Sequence, residues 1–193
     1  MKTKKRHMES VFTEDTDFQN NARINLVPDS LELYAMGYKK AGDVVSEYAM
    51  KHEEDLDTLI YPSAFAYRQY IELRLKEVIK EGQILLGQPS LFPEGHDIIK
   101  LWRDAKKIVL TIWPNNPQNL DYSEHVIKEF AKIDPESFSF RYHLKTKNKG
   151  GGKTLEGINF INIRRLAEHV NKLEKDLEAI SEGIAIYRQQ QEG

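Results

Sequence analysis

The sequence predicts an all-α protein, a helical bundle of about five helices with a β-like hairpin ahead of the long C-terminal helix. Three observations predict it. From about Asn162 to Gln189 the apolar residues Ile163, Leu166, Val170, Leu173, Leu177, Ile180, Ile184 and Tyr187 recur every three or four positions, which places them on one helical stripe. Such a stripe needs an apolar partner, and four earlier segments with the same period supply one. Between them and the last helix the period changes: Phe138, Phe140 and Tyr142 alternate with Ser139, Arg141 and His143, which is strand spacing.

Composition bounds the reading. A chain of 193 residues, 40% of them hydrophobic, is long enough for one sizeable core. The formal net charge is -2, so no global field draws the chain onto nucleic acid, and any such contact must come from a local patch. Cysteine is absent, which removes disulfides, thiolate chemistry and cysteine-ligated metals. No apolar run approaches the roughly 18 residues of a membrane span. The basic start Met1-Lys2-Thr3-Lys4-Lys5-Arg6 leads into no apolar segment and is not a signal peptide. The expectation is a cytoplasmic protein without membrane contact.

In chain order, residues 1–27 read as a polar N-terminal arm, with a short extended piece around Val11-Phe12. The helical domain, 28–193, opens at Pro28-Asp29-Ser30, with Asp29 or Ser30 as N-cap. Leu31, Tyr34, Tyr38, Ala41, Val45 and Tyr48 form the expected buried stripe of the first helix. Pro62 suits the first turn of the second helix, and Gly82 suits its end. Ala64, Tyr67, Ile71, Leu75 and Val78 make one face of this helix, widened by Tyr70, Leu73 and Ile79. Apolar residues over so wide an arc mark it as central. Arg68, Glu72 and Lys76 step by four on its flank, a spacing that suits surface ion pairs or a polar cluster lining a groove. Because Ile71 and Leu73 flank it, Glu72 is expected to be partly buried and paired with Arg68 or Lys76. After a loop over 87–95, His96-Asp97 starts a third helix carrying Ile98, Leu101, Trp102, Ala105, Ile108, Val109 and Ile112. A shorter helix covers about Ser123–Lys132, with Val126, Ile127 and Phe130 inward. Asn159 or Asn162 caps the last helix.

The hairpin at about 137–158 holds the least ordinary chemistry. Arg141, Lys145, Lys147, Lys149 and Lys153, with His143, occupy the span from Ser137 to Leu155, which contains no acid. Consecutive glycines allow close backbone approach to a phosphate. The tract Gly150-Gly151-Gly152-Lys153-Thr154 is nonetheless no P-loop: that pattern needs glycine five positions before the last one, and position 147 is Lys. Lys145, Lys147, Lys149 and Lys153 are the candidate nucleic-acid contacts, through phosphates and without sequence preference. His125, His143 and His169 show no metal-ligand spacing, and neither HExxH nor GxSxG occurs, so no metal or other cofactor is expected.

The stretches Tyr67-Arg68-Gln69-Tyr70-Ile71-Glu72-Leu73-Arg74-Leu75-Lys76, Gly95-His96-Asp97-Ile98-Ile99-Lys100-Leu101-Trp102 and Phe138-Ser139-Phe140-Arg141-Tyr142 resemble a group of bacterial HEPN-like proteins, over roughly residues 60 to 175. The resemblance implies a helical bundle, usually a homodimer. It also implies a module acting on RNA, in many members a metal-independent endoribonuclease of a toxin or defence system. The signature of such enzymes is Arg, four to six residues, then His, which Arg164 and His169 match. In that mechanism histidine acts as acid or base for 2′-hydroxyl attack and arginine stabilises the charged phosphoryl group. Positions 164 and 169 point about 140° apart on a regular helix, whereas Arg165 and His169 share a face. If the chain cleaves RNA as the resemblance implies, the pair is His169 with Arg164 or Arg165, and Arg141, His143 and His96 are the alternative lining of a site. The other class of function is a non-catalytic dimeric helical interaction module that binds RNA or a protein partner.

Overall fold

The computed structural model describes residues 10–24, 30–115 and 120–192. The chain divides into two units, Met1–Ser30 and Leu31–Gly193. In the first, the described residues hold a bend at 11–13 in place of the expected extended piece, and a single 3-10 turn at Phe18–Asn20. The Asn21 side chain closes this segment locally, accepting from the Asp15 amide and donating to its carbonyl. Asp29, a candidate cap of the first helix, lies outside the described residues.

The second unit is an all-α bundle: α1 (Leu31–Lys51), α2 (Leu56–Leu85), α3 (Ile98–Ile112), α4 (Leu120–Ile133) and α5 (Ile163–Glu192). Among the described residues no helix is long and apolar enough to cross a membrane. Helix α2 packs against α1, α3 and α5; Tyr67, Tyr70, Ile71, Leu75, Val78 and Ile79 are buried in one core with residues of α3, α4 and α5, and Leu73 is partly buried against it. It is longer than Pro62 and Gly82 suggested. Pro62 lies inside it, because Leu59 and Ile60 are half-buried and extend the apolar face toward the N-terminus. The last helix keeps its predicted stripe: Ile163, Val170, Leu173, Leu177, Ile180 and Ile184 are all buried, while Tyr187 lies against the Trp113 ring at the edge.

The face of α1 differs from expectation. Its buried residues are Ala35, Lys39, Gly42, Ser46 and Ala49, and the large residues Tyr34 and Tyr48 face outward. Small side chains let α1 approach α2 closely: a Cβ on Gly42 would lie 2.6 Å from the Tyr67 ring. Several polar groups brought into this contact are partnered. Ser46 and Ser63 share a 2.6 Å hydrogen bond, and the Tyr67 hydroxyl donates to Asp43 at 3.0 Å. Lys39 is buried between Asp43 and Glu174, at 2.8 and 2.7 Å, and also donates to Asn171. Pairing of this kind offsets the cost of burying an ammonium or a hydroxyl.

The expected β-like hairpin forms no strand among the described residues. The 138–142 segment folds into turns, with the Arg141 and Tyr142 amides both donating to the Phe138 carbonyl. Its two limbs meet at one isolated antiparallel bridge, Leu144 with Lys153. The limbs are joined by hydrogen bonds from the Lys145 amide to Gly152 O at 2.8 Å and from the Thr154 amide to His143 O at 3.1 Å. The tip then turns through Gly150, Gly151 and Gly152 at φ of 85°, 65° and 83°. Three successive left-handed residues are accessible only to glycine at low cost, which accounts for the glycine run in structural terms.

Candidate functional site

Two polar clusters share the segment that joins α4 to the basic hairpin. The first is built on α2. Arg68, Glu72 and Lys76 are not surface pairs but interior ones: Arg68 is 0% and Glu72 2% exposed. Glu72 accepts from Arg68 at 3.2 Å and from Lys76 at 3.0 Å, so the burial expected for it is complete and both candidate partners engage it. Its third partner is His96, whose Nδ1 lies 2.8 Å from Glu72 Oε1 while 64% of the imidazole side chain stays exposed. Burial alone would raise the Glu72 pKa, but hydrogen bonds from Lys76 and His96 outweigh it and hold the carboxyl below its usual range.

Arg68 does more than neutralise Glu72. Its Nε donates to Asp134 O at 3.1 Å, and its NH2 donates to His96 O at 2.6 Å and Pro135 O at 3.4 Å. One guanidinium thus ties α2 both to the start of α3 and to the end of α4, using the planar five-donor geometry that lysine lacks. Asp134 is itself buried, and its Oδ1 accepts the Phe138 and Ser139 amides at 2.5 and 2.7 Å. The Gln69 amide donates to Ser137 Oγ, and Ser137 sits at φ 55°, the only non-glycine positive φ among the described residues. Arg141 donates to the Ser137 carbonyl at 2.7 Å and lies over the Phe65 ring. His96 and Arg141 are therefore anchored through neighbouring residues of α2. Asp97 beside His96 is the N-cap of α3, accepting from the Ile99 and Lys100 amides, so it sets the direction of the His96 backbone.

The second cluster lines a groove of about 280 Å³ between α4 and α5. Its floor is apolar, made by Val126, Phe130, Ile133, Phe140, Ile161 and Leu166. Its rim carries His125, Glu129, Asn162, Arg165 and His169. Asn162 is also the cap of α5, with its Oδ1 accepting the Arg165 amide at 2.9 Å, and this fixes where α5 begins relative to the groove. His169 Nδ1 lies 2.8 Å from the Tyr122 hydroxyl, with the two rings stacked at 6.0 Å. Lys172 sits 3.6 Å above the same tyrosine ring. Tyr122 thus engages one ring nitrogen of His169.

The structure brings together His169 and Arg165 and leaves Arg164 outside the groove lining. A five-residue separation carries Arg164 to another face of α5, whereas four residues return Arg165 to the face of His169. His125 joins the same rim from α4, though the sequence offered only its isolated position. His143 and Lys153 are exposed on the two limbs of the hairpin, Lys147 is exposed at its tip, and Lys145 is half-buried. The side chain of Lys149 lies outside the described residues. The hairpin is rooted in the groove, since Phe140 precedes its first limb and Ile161 follows its second. Among the described residues no group of three or more histidine, aspartate or glutamate side chains is arranged to hold a metal ion. Comparisons with family models, curated proteins and solved structures find no match to the chain.

Proposed function

We propose that this chain is a HEPN-like module that acts on RNA, with the α4/α5 groove as its site. The observation that carries the reading is the shared rim of Arg165, His169 and His125 at the root of a basic projection. Two imidazoles and a guanidinium suffice for metal-free transesterification. One histidine removes the proton of a ribose 2′-hydroxyl, whose oxygen attacks the adjacent phosphorus. The other histidine protonates the departing 5′ oxygen, leaving a 2′,3′-cyclic phosphate and a 5′-hydroxyl. Arg165 offsets the charge that builds on the phosphoryl oxygens. The Tyr122 contact fixes the imidazole of His169 for this role.

A second location for the acid–base chemistry is favoured by the His96–Glu72 contact. A buried carboxylate on Nδ1 orients the imidazole and leaves Nε2 toward solvent. The two locations separate by mutation. Purified protein is incubated with total RNA in EDTA beside His169→Ala and His96→Ala. Cleavage is expected for the wild type, with a loss of about 10²- to 10⁴-fold in His169→Ala and little change in His96→Ala. The reverse pattern moves the chemistry to His96. RNA binding without cleavage selects the alternative function, a non-catalytic interaction module. Homodimer formation is part of the proposal, through the outer face of α1, where Leu33, Tyr34, Val44 and Tyr48 are exposed together. A role in toxin or defence systems rests on the HEPN resemblance.

A further inference from the structure

We propose that the α4/α5 groove holds a single unstacked nucleobase of an RNA strand, with the flanking phosphates over its basic rim; this rests on the RNA reading above and names what enters the site. A surface that met phosphates alone would have no use for an apolar floor. Here the floor is Phe130, Phe140, Ile133 and Leu166, while polar groups are confined to the mouth. That division suits a planar heteroaromatic group with polar edges on a charged backbone, because sequence-tolerant contact with single strands joins a basic track to apolar and aromatic surfaces for the bases.

The volume of about 280 Å³ accommodates one or two fused rings and lies just below the usual range of sites for drug-sized ligands. The rim supplies edge partners of both kinds. The Asn162 side-chain amide offers donors and Glu129 offers acceptors, which leaves Arg165, His125 and His169 to the ribose and phosphate. Charge complementarity extends beyond the mouth: the segment that contributes Phe140 continues into the hairpin lysines Lys145, Lys147 and Lys153, with no acid between Ser137 and Leu155. A strand following those cations to the groove would present its bases to an apolar opening. Extrusion of a base is least costly where the strand is already unpaired, so the substrate is single-stranded RNA or a loop.

The test uses the full chain and a single-stranded RNA octamer, with binding read by fluorescence anisotropy. One base at a time is replaced by an abasic ribose, leaving every phosphate in place. Ile161→Trp, at the groove wall ahead of α5, fills the space; circular dichroism and thermal melting check that it folds. The expected result is a loss of about tenfold or more at one or two abasic positions. Ile161→Trp should lose a similar factor on the intact strand, with the salt slope unchanged. Equal, salt-dependent binding of intact and all abasic strands overturns the base pocket while leaving the RNA reading in place. If no strand binds at any salt concentration, the RNA reading fails and the base pocket with it. The abasic series on the wild-type chain decides the matter even if Ile161→Trp does not fold.

Discussion

Replacing Arg68 by methionine is the most severe single perturbation that the α2 cluster offers. The guanidinium is fully buried and donates to Glu72, Asp134 O, His96 O and Pro135 O. Methionine fills much of the volume but donates nothing. Glu72 keeps Lys76 and His96, so its charge is not orphaned. The larger loss is at the three carbonyls, of which Asp134 O is in a fully buried bond. Hydrogen bonds from a charged donor are worth about 1.5–3 kcal/mol each, and the partly buried His96 and Pro135 carbonyls will recover some of this from water. The expected net loss is about 3–5 kcal/mol, the sum of one fully buried charge-assisted bond and the unrecovered part of two others. Urea unfolding followed by circular dichroism, with the slope m compared between variants, measures it. A double-mutant cycle with Glu72→Gln divides the loss. If the clasp on the three carbonyls dominates, the Arg68–Glu72 coupling should be only about 1–2 kcal/mol. A total loss below about 1 kcal/mol with unchanged m, or a coupling equal to the whole loss, refutes the reasoning.

Acid stability should depend on Glu72. Its folded-state pKa is depressed, so its contribution is present above the unfolded value near 4.5 and is lost as pH falls through the lower folded value; Glu72→Gln should flatten the decline of stability below about pH 4.5 seen in urea titrations. Gly42→Ala should destabilise by about 1–3 kcal/mol, since its Cβ would lie 2.6 Å from the buried Tyr67 ring, and a thermal melt unchanged from wild type would show that α1 is free to shift. Replacing Lys145, Lys147, Lys149 and Lys153 with alanine should remove up to about 3 from the log–log salt slope of RNA binding, at roughly 0.7 per phosphate, and weaken all sequences alike; unchanged affinity and slope would leave the hairpin as a solvated tip. Sedimentation at micromolar concentration should give the mass of two chains, and Tyr34→Glu on the exposed face of α1 should shift it to one; a single-chain mass for the wild type removes the dimer.

The parts of this fold legible in the sequence are those where apolar periodicity and burial coincide. The stripe of α5 and the broad face of α2 are such cases, because side chains of that size have nowhere else to go in a bundle of five helices. The face of α1 was not legible for the opposite reason. Its contact with α2 is made by Ala35, Gly42, Ser46 and Ala49, residues of low hydropathy whose value is that they allow two backbones to come close. A pattern search follows the tyrosines, and on α1 Tyr34 and Tyr48 point outward. The alternation at 138–142 misled in another way. The segment is a turn in which Arg141 lies over Phe65 of α2 and Phe140 lines the groove, so period two arose without a strand. Within the candidate site, the i, i+4 relation of Arg165 and His169 was readable from helix geometry alone. The approach of His125 and Tyr122 was not, since it depends on how α4 lies across α5. The same holds for His96 and Glu72, which are 24 residues apart in sequence and 2.8 Å apart in space. Segment 133–141 gives both clusters their form. Asp134, Pro135 and Ser137 bind α2 on one side, while Ile133 and Phe140 wall the groove on the other. The Arg68 clasp and the groove wall are joined by a short, hydrogen-bonded stretch of backbone. Arg68→Met, if it folds, should alter ligand affinity at the groove without touching any residue that lines it.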